Sequence, residues 1–165
     1  MRPDSRTTPQ ILKHTFLVAS LGKALTSAVR RRATPAKLVV LNKGLVAALA
    51  RELAPGVTFD RVTGSGRLEN VYIALVWNAG QGVSYGRQER EGADVVSSRS
   101  WGHRAINIKT GRVRTRDLAG LFAFAAQHRK CPPLLVCNPG EERAAYGAGI
   151  AGTAWKQSLM AGPPV

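Results

Sequence analysis

Asn107 and Lys109 stand two residues apart in the alternating segment Arg104-Ala-Ile-Asn-Ile-Lys-Thr110. On a strand, a period of two sends Ala105, Asn107 and Lys109 to one face, and Ile106 and Ile108 to the other. Asp94 lies on an earlier extended segment, a hairpin's distance upstream. An acid on one strand facing an acid-x-Lys pair on the next is an arrangement that cleaves phosphodiesters. Two acids and the carbonyl between them hold Mg²⁺, and the Lys steadies the scissile phosphate or the attacking water. In this chain the first member of the pair is Asn107, a neutral oxygen ligand. The metal ligands expected are therefore Asp94 and Asn107, with Lys109 beside them and Glu69, on an earlier helix, completing the catalytic set. Mg²⁺ dehydrates reluctantly, so a set short of one carboxylate predicts weak Mg²⁺ binding or none.

Basic residues crowd the same stretch. Arg112, Arg114 and Arg116 alternate just after Lys109, at the mouth of the expected site, where they suit a phosphate backbone. The plain alternative is solvation at a helix start, where positive charge is mildly unfavourable. Trp101 sits in a loop with Arg99, His103 and Arg104, and a loop aromatic flanked by Arg suits stacking on a single strand. Its alternative is a ring folded back on the sheet. Lys109 has one too, a cross-strand ion pair with Asp94, and Glu69 has another, a salt bridge with Arg67 or with an Arg on a neighbouring strand.

The elements that must position these residues can be read in order. Residues 1–9 are a polar, basic, proline-punctuated tail, and Ile11, Leu12, Phe16, Leu17 and Val18 either share a helix face or lead into a strand. Arg30, Arg31 and Arg32 form a basic run before Pro35. Residues 37–42 read as a strand and 44–53 as a helix stopped by Pro55-Gly56. After the Thr63-Gly-Ser-Gly66 turn comes a helix with Leu68, Val71, Tyr72, Leu75 and Val76 on one face, ending near Gly80. Extended segments follow at 83–88, 93–97 and 104–110. Thr115 suits an N-cap, with Asp117 in the first turn of a helix running to about His128. Leu134 to Cys137 is a short buried-type strand, 138–141 a turn, and 153–160 a closing helix. Three consecutive strands make a meander, and the next helix crosses over to lay the following strand in the same sheet. The expected fold is an α/β protein, a mixed β-sheet flanked by helices.

Five blocks in this order resemble a known domain. They are Lys37-Leu-Val-Val-Leu-Asn-Lys-Gly-Leu45, Gly66-Arg-Leu-Glu-Asn-Val71, Gly92-Ala-Asp-Val-Val96, Ile106-Asn-Ile-Lys-Thr-Gly111 and Asp117-Leu-Ala-Gly-Leu-Phe-Ala-Phe124. They look like the C-terminal domain of unknown function found in a group of prokaryotic AAA+-type ATPases, a domain similar to the PD-(D/E)xK restriction-endonuclease-like fold. The resemblance covers roughly residues 10–160. It implies a restriction-endonuclease-like core over 37–165 and a winged-helix remnant or N-terminal appendage over 10–36, behind the tail at 1–9. Two departures stand out. No GxxxxGK[ST] loop is present, so no nucleotide cofactor is expected. The family's acid-x-Lys is here Asn107-x-Lys109.

Composition narrows the function classes. The chain has 165 residues, a formal net charge of +14 and 24 basic residues, most of them Arg. Such a field attracts polyanions, DNA or RNA first and an anionic membrane surface a poor second. Apolar residues make up 44% and aromatics 6%, so Ala, Val and Leu must fill the core. Cys131 and Cys137 form no CxxC pair, and three scattered His complete no zinc spacing. No stretch reaches the ~18 apolar residues a spanning helix needs, so no membrane association and a cytoplasmic location are expected. The leading expectation is a nucleic-acid-binding module with a degenerate, catalytically impaired nuclease-like site. The alternatives are an active Mg²⁺-dependent nuclease and a protein-interaction domain of a split or lost ATPase, with an ATPase as partner.

Overall fold

The computed structural model of the protein describes residues 18–24, 36–41, 64–78, 81–86, 92–98 and 102–161. The helix expected over 44–53, the tail at 1–9, the Arg30–Arg32 run, Arg99 and Trp101 lie outside these residues.

Two sheets are present among the described residues. The smaller pairs β1 (Val18–Leu21) with β2 (Lys37–Val40), antiparallel, Val18 opposite Val40. It thus draws one strand from each side of the boundary expected at residue 37. The larger is mixed, with five strands in sequence order: β3 (Gly82–Ser84), β4 (Val95–Ser98), β5 (Arg104–Ile108), β6 (Pro133–Cys137) and β7 (Ala151–Ala154). The first three form the expected antiparallel meander, and β5, β6 and β7 run parallel.

Helices cover both faces. Helix α1 (Gly64–Asn78) puts Leu68, Tyr72, Ile73 and Val76 against Val95, Ile106, Ile108, Leu134 and Val136 of the sheet and against Leu21 and Val39 of the small sheet. Its buried stripe therefore includes Ile73, while Val71 and Leu75 are only half-buried. The opposite face carries α2 (Ala119–Gln127) and α3 (Glu142–Gly147), whose Leu121, Phe124 and Ala145 meet Val96, Ala105, Leu135 and Cys137. Both parallel crossovers run on this one face. Helix α4 (Trp155–Ala161) returns to the α1 side, where Ser158 Oγ donates to Tyr72 Oη at 3.1 Å, both residues fully buried.

Several expected elements shift. The third segment back from β5 is shorter than 83–88: β3 ends at Ser84, and Tyr85 forms an isolated parallel bridge with Lys23. Residues 153–160 do not begin a helix, since Thr153 and Ala154 complete β7 and the helix starts at Trp155. Helix α3 follows the turn expected at 138–141, over residues for which no element was expected. At 115 the chain makes a 3₁₀ turn (Thr115–Leu118) whose cap position is Arg114 instead of Thr115. The Asp117 carboxylate accepts from the Arg114 N–H at 2.9 Å, so the turn closes on a side chain three residues ahead.

Candidate functional site

The register of β4 on β5 brings the strand-borne candidates together. Val95 lies opposite Ile106, and one further step sets Asp94, just before β4, opposite Asn107. Ile106 and Ile108 face α1, so Asn107 between them faces the α2 side. Asp94 meets β5 edge-on, at the Ile108 N–H, and β5 keeps β-type pairing past Asn107 through Lys109, whose N–H donates to the Val136 carbonyl at 2.8 Å. Alternation therefore puts Lys109 on the same face, as expected.

Asp94 has a defined structural task. Its Oδ2 accepts the Ile108 N–H at 2.9 Å. The β4 ladder has not yet started at this point, so the carboxylate stands in for the missing backbone acceptor. Lys109 makes no ion pair with Asp94, and none with any other acid among the described residues. Asn107 is 6% exposed and its Oδ1 has no hydrogen-bond partner among them. A buried acceptor left in that condition costs roughly 1–3 kcal/mol, which makes Asn107 the outlier of this face.

Glu69 does not join the group. Its partner is Lys37 of β2, in a half-buried ion pair. Helix α1, which carries it, packs on the Ile106 and Ile108 face, across the sheet from Asn107. Chain order agreed with the expected role, but the packing face of the helix does not.

The donor set for a cation is therefore one carboxylate, with one oxygen already engaged, and one amide oxygen. Among the described residues no three His, Cys, Asp or Glu side chains gather closely enough to hold a metal. The Asn107 oxygen is buried without a partner among the described residues, but a resident Mg²⁺ is under-supplied with charge here.

The loop leaving β5 carries the Arg row. Arg112, Arg114 and Arg116 are exposed, while Val113 between the first two is buried. Two acids hold the backbone of this loop. Glu141 Oε2 accepts from the Val113 N–H at 2.8 Å, and Asp117 holds the Arg114 N–H. The carboxylates thus serve the main chain, and the three guanidinium groups stay unpaired with acid among the described residues. Arg104 starts β5, about 16 Å of strand from Lys109, so it does not extend this row.

Sequence reasoning missed Asn138. It was read as part of a turn, yet its amide donates to the Thr110 carbonyl and its Oδ1 accepts from Trp155 Nε1 at 3.2 Å. It ties the exit of β5 to the start of α4. Lys156 adds to this corner, with Nζ 5.5 Å from the Trp155 ring centroid. A polar residue closing a buried strand was the available signal.

No helix among the described residues is long and apolar enough to cross a membrane. Comparison with protein-family models, with curated proteins and with solved structures finds no match to this chain.

Proposed function

We propose that this chain is a nucleic-acid-binding module with a restriction-endonuclease-like core, whose nuclease-like site is degenerate and catalytically impaired. The observation that carries the reading is the juxtaposition at the end of β5. Three exposed, acid-free Arg side chains follow directly on Lys109, on a loop whose backbone is held by Glu141 and Asp117. A held loop presents its charges to a polyanion with less ordering cost than a mobile one. The register that sets Asp94 opposite Asn107 supports descent from a metal-dependent phosphodiesterase site, and the pair supplies one carboxylate where two are needed. The meander followed by a crossover, with helices on both faces, supports the restriction-endonuclease-like reading of the core. The net charge of +14 supports a nucleic-acid partner over an acid-poor protein partner.

The test is titration of duplex and single-stranded oligonucleotides at two ionic strengths. Affinity falls steeply with salt, and replacing Arg112, Arg114 and Arg116 together by Ala lowers the log–log salt slope by roughly two to three. Absence of binding at low salt, or binding indifferent to salt, overturns the reading and leaves a protein-docking module. Robust Mg²⁺- or Mn²⁺-dependent plasmid cleavage that vanishes in Asp94→Ala replaces it with an active nuclease.

A further inference from the structure

At the other end of the parallel strands lies a second basic feature, unrelated to the Arg row. An open cleft of about 480 Å³ is lined by His103, Ala126, His128, Arg129, Lys130 and Cys131, with Gln127 completing it. His103 immediately precedes β5, and Arg129 and Lys130 sit between α2 and β6. The cleft therefore opens at the start of β5 and β6, whereas Lys109 and the Arg row follow the end of β5.

Its chemistry is uneven in a specific way. Four basic side chains line it and no acid does. Among the described residues none of the four meets a carboxylate elsewhere either. The C-terminal carbonyls of α2 attract cations in its last turn, but they do not explain why the groups surround a hollow. The hollow also has an apolar part. Ala126 and Cys131 contribute it, and burial raises the Cys131 thiol above its usual range, so the sulfur there is a neutral wall and not a nucleophile. His128 is braced from behind by Phe124, with ring centroids 4.3 Å apart and planes tilted by 37°. The Cys131 N–H donates to the His128 carbonyl at 2.8 Å, which closes the loop carrying Arg129 and Lys130. The cleft is thus a braced imidazole, a tight basic loop and an apolar wall, of a size that suits a small ligand.

We propose that this cleft binds a phosphate monoester carried on a flat apolar group. The monoester's two negative charges answer the unpaired bases, through charge-assisted hydrogen bonds from Arg129, Lys130 and the imidazoles. The flat group lies against Ala126 and Cys131. A free mononucleotide and the 5′-phosphorylated end of a nucleic-acid strand share this chemistry. The site stands apart from the proposed Arg-row interface, and neither requires the other.

The experiment is calorimetric titration of the full chain with adenosine 5′-monophosphate, with adenosine and with inorganic phosphate. A second pair of ligands is one oligonucleotide with a 5′-phosphate or a 5′-hydroxyl. The variant is Arg129→Ala with Lys130→Ala; both residues are exposed, so the fold tolerates it. Binding of the monophosphate at least roughly tenfold tighter than adenosine, and weakened roughly tenfold or more in the variant, is the expected result. Inorganic phosphate binds more weakly than the monophosphate, because it lacks the flat group. A 5′-phosphate preference in the oligonucleotide pair assigns the strand end as the source. Its absence, with mononucleotide binding intact, assigns the free nucleotide. The triple Ala variant of Arg112, Arg114 and Arg116 retains monophosphate binding, which separates this site from the Arg row. Equal binding of adenosine and its monophosphate, no binding of either at millimolar concentration, or undiminished binding in the variant overturns the proposal.

Discussion

The Asp94 carboxylate and the Ile108 amide are joined at 2.9 Å, a side chain completing a hydrogen-bond ladder that the backbone of β4 leaves one rung short. The residue that most resembles a metal ligand is thus also part of the sheet. Any functional reading of Asp94 has to be separated experimentally from this structural task.

Asp94→Ala removes the acceptor and leaves the Ile108 N–H unpaired at a buried position. The expected loss is about 1–3 kcal/mol of unfolding free energy. Asp94→Asn retains an oxygen that can accept, and loses less. Urea denaturation of the three proteins checks this. Equal stability of natural protein and Asp94→Ala would show that the bond contributes nothing.

Asn107→Asp places a second carboxylate opposite Asp94 on a buried face. Without metal, the desolvated like-charge pair costs about 2 kcal/mol or more. With millimolar Mn²⁺ or Mg²⁺, the melting temperature recovers, because two carboxylates now share a cation. The natural protein shows little or no such metal response. Thermal melts with and without metal decide it, and a metal-blind Asn107→Asp means that the strand pair no longer encloses a usable pocket.

Cys137 is fully buried at the end of β6, and burial first, then the charges of Glu142 and Glu141, push its thiol up to about 12. The unfolded thiol titrates near its ordinary value of 9.0. Its protonated form therefore supports the fold fully below that value, and the support is lost as pH rises toward 12. At pH 8 a thiol-reactive reagent modifies half-buried Cys131 well before Cys137. Mass spectrometry of partially labelled, folded protein reads the order, and simultaneous labelling would contradict it.

Gly152 lies in β7 where a Cβ would come within 2.9 Å of the Ala145 Cβ and 3.1 Å of the Glu142 carbonyl oxygen. Helix α3 packs that closely only because the strand offers no side chain there. Gly152→Ala is expected to cost about 1–3 kcal/mol by forcing the two apart. An unchanged denaturation midpoint would mean that α3 yields freely.

The same position explains part of what the sequence concealed. Strand β7 reads Ala-Gly-Thr-Ala, without the β-branched alternation that made 104–110 legible, because its neighbour helix demands small residues. Helix α3, six residues long, was hidden for a related reason: its buried Ala145 is too small to mark a face. The meander, α1, α2 and β6 were legible because large apolar residues recur there at the right period. At the candidate site, the shared face of Asn107 and Lys109 followed from strand periodicity, and the nearness of Asp94 to Asn107 from hairpin order. The exclusion of Glu69 did not, because period shows which side of a helix is apolar and not which side of a sheet receives it. The Asp94 bond to Ile108 depends on register to a single residue, which no local pattern carries.

Asn138 has one more consequence. By grasping the Thr110 carbonyl on one side and the Trp155 indole on the other, it makes the last helix a latch on the Arg-bearing loop. One side chain thus couples the seating of α4 to the loop on which Arg112 and Arg114 stand, so the two cannot shift independently without breaking one of its hydrogen bonds.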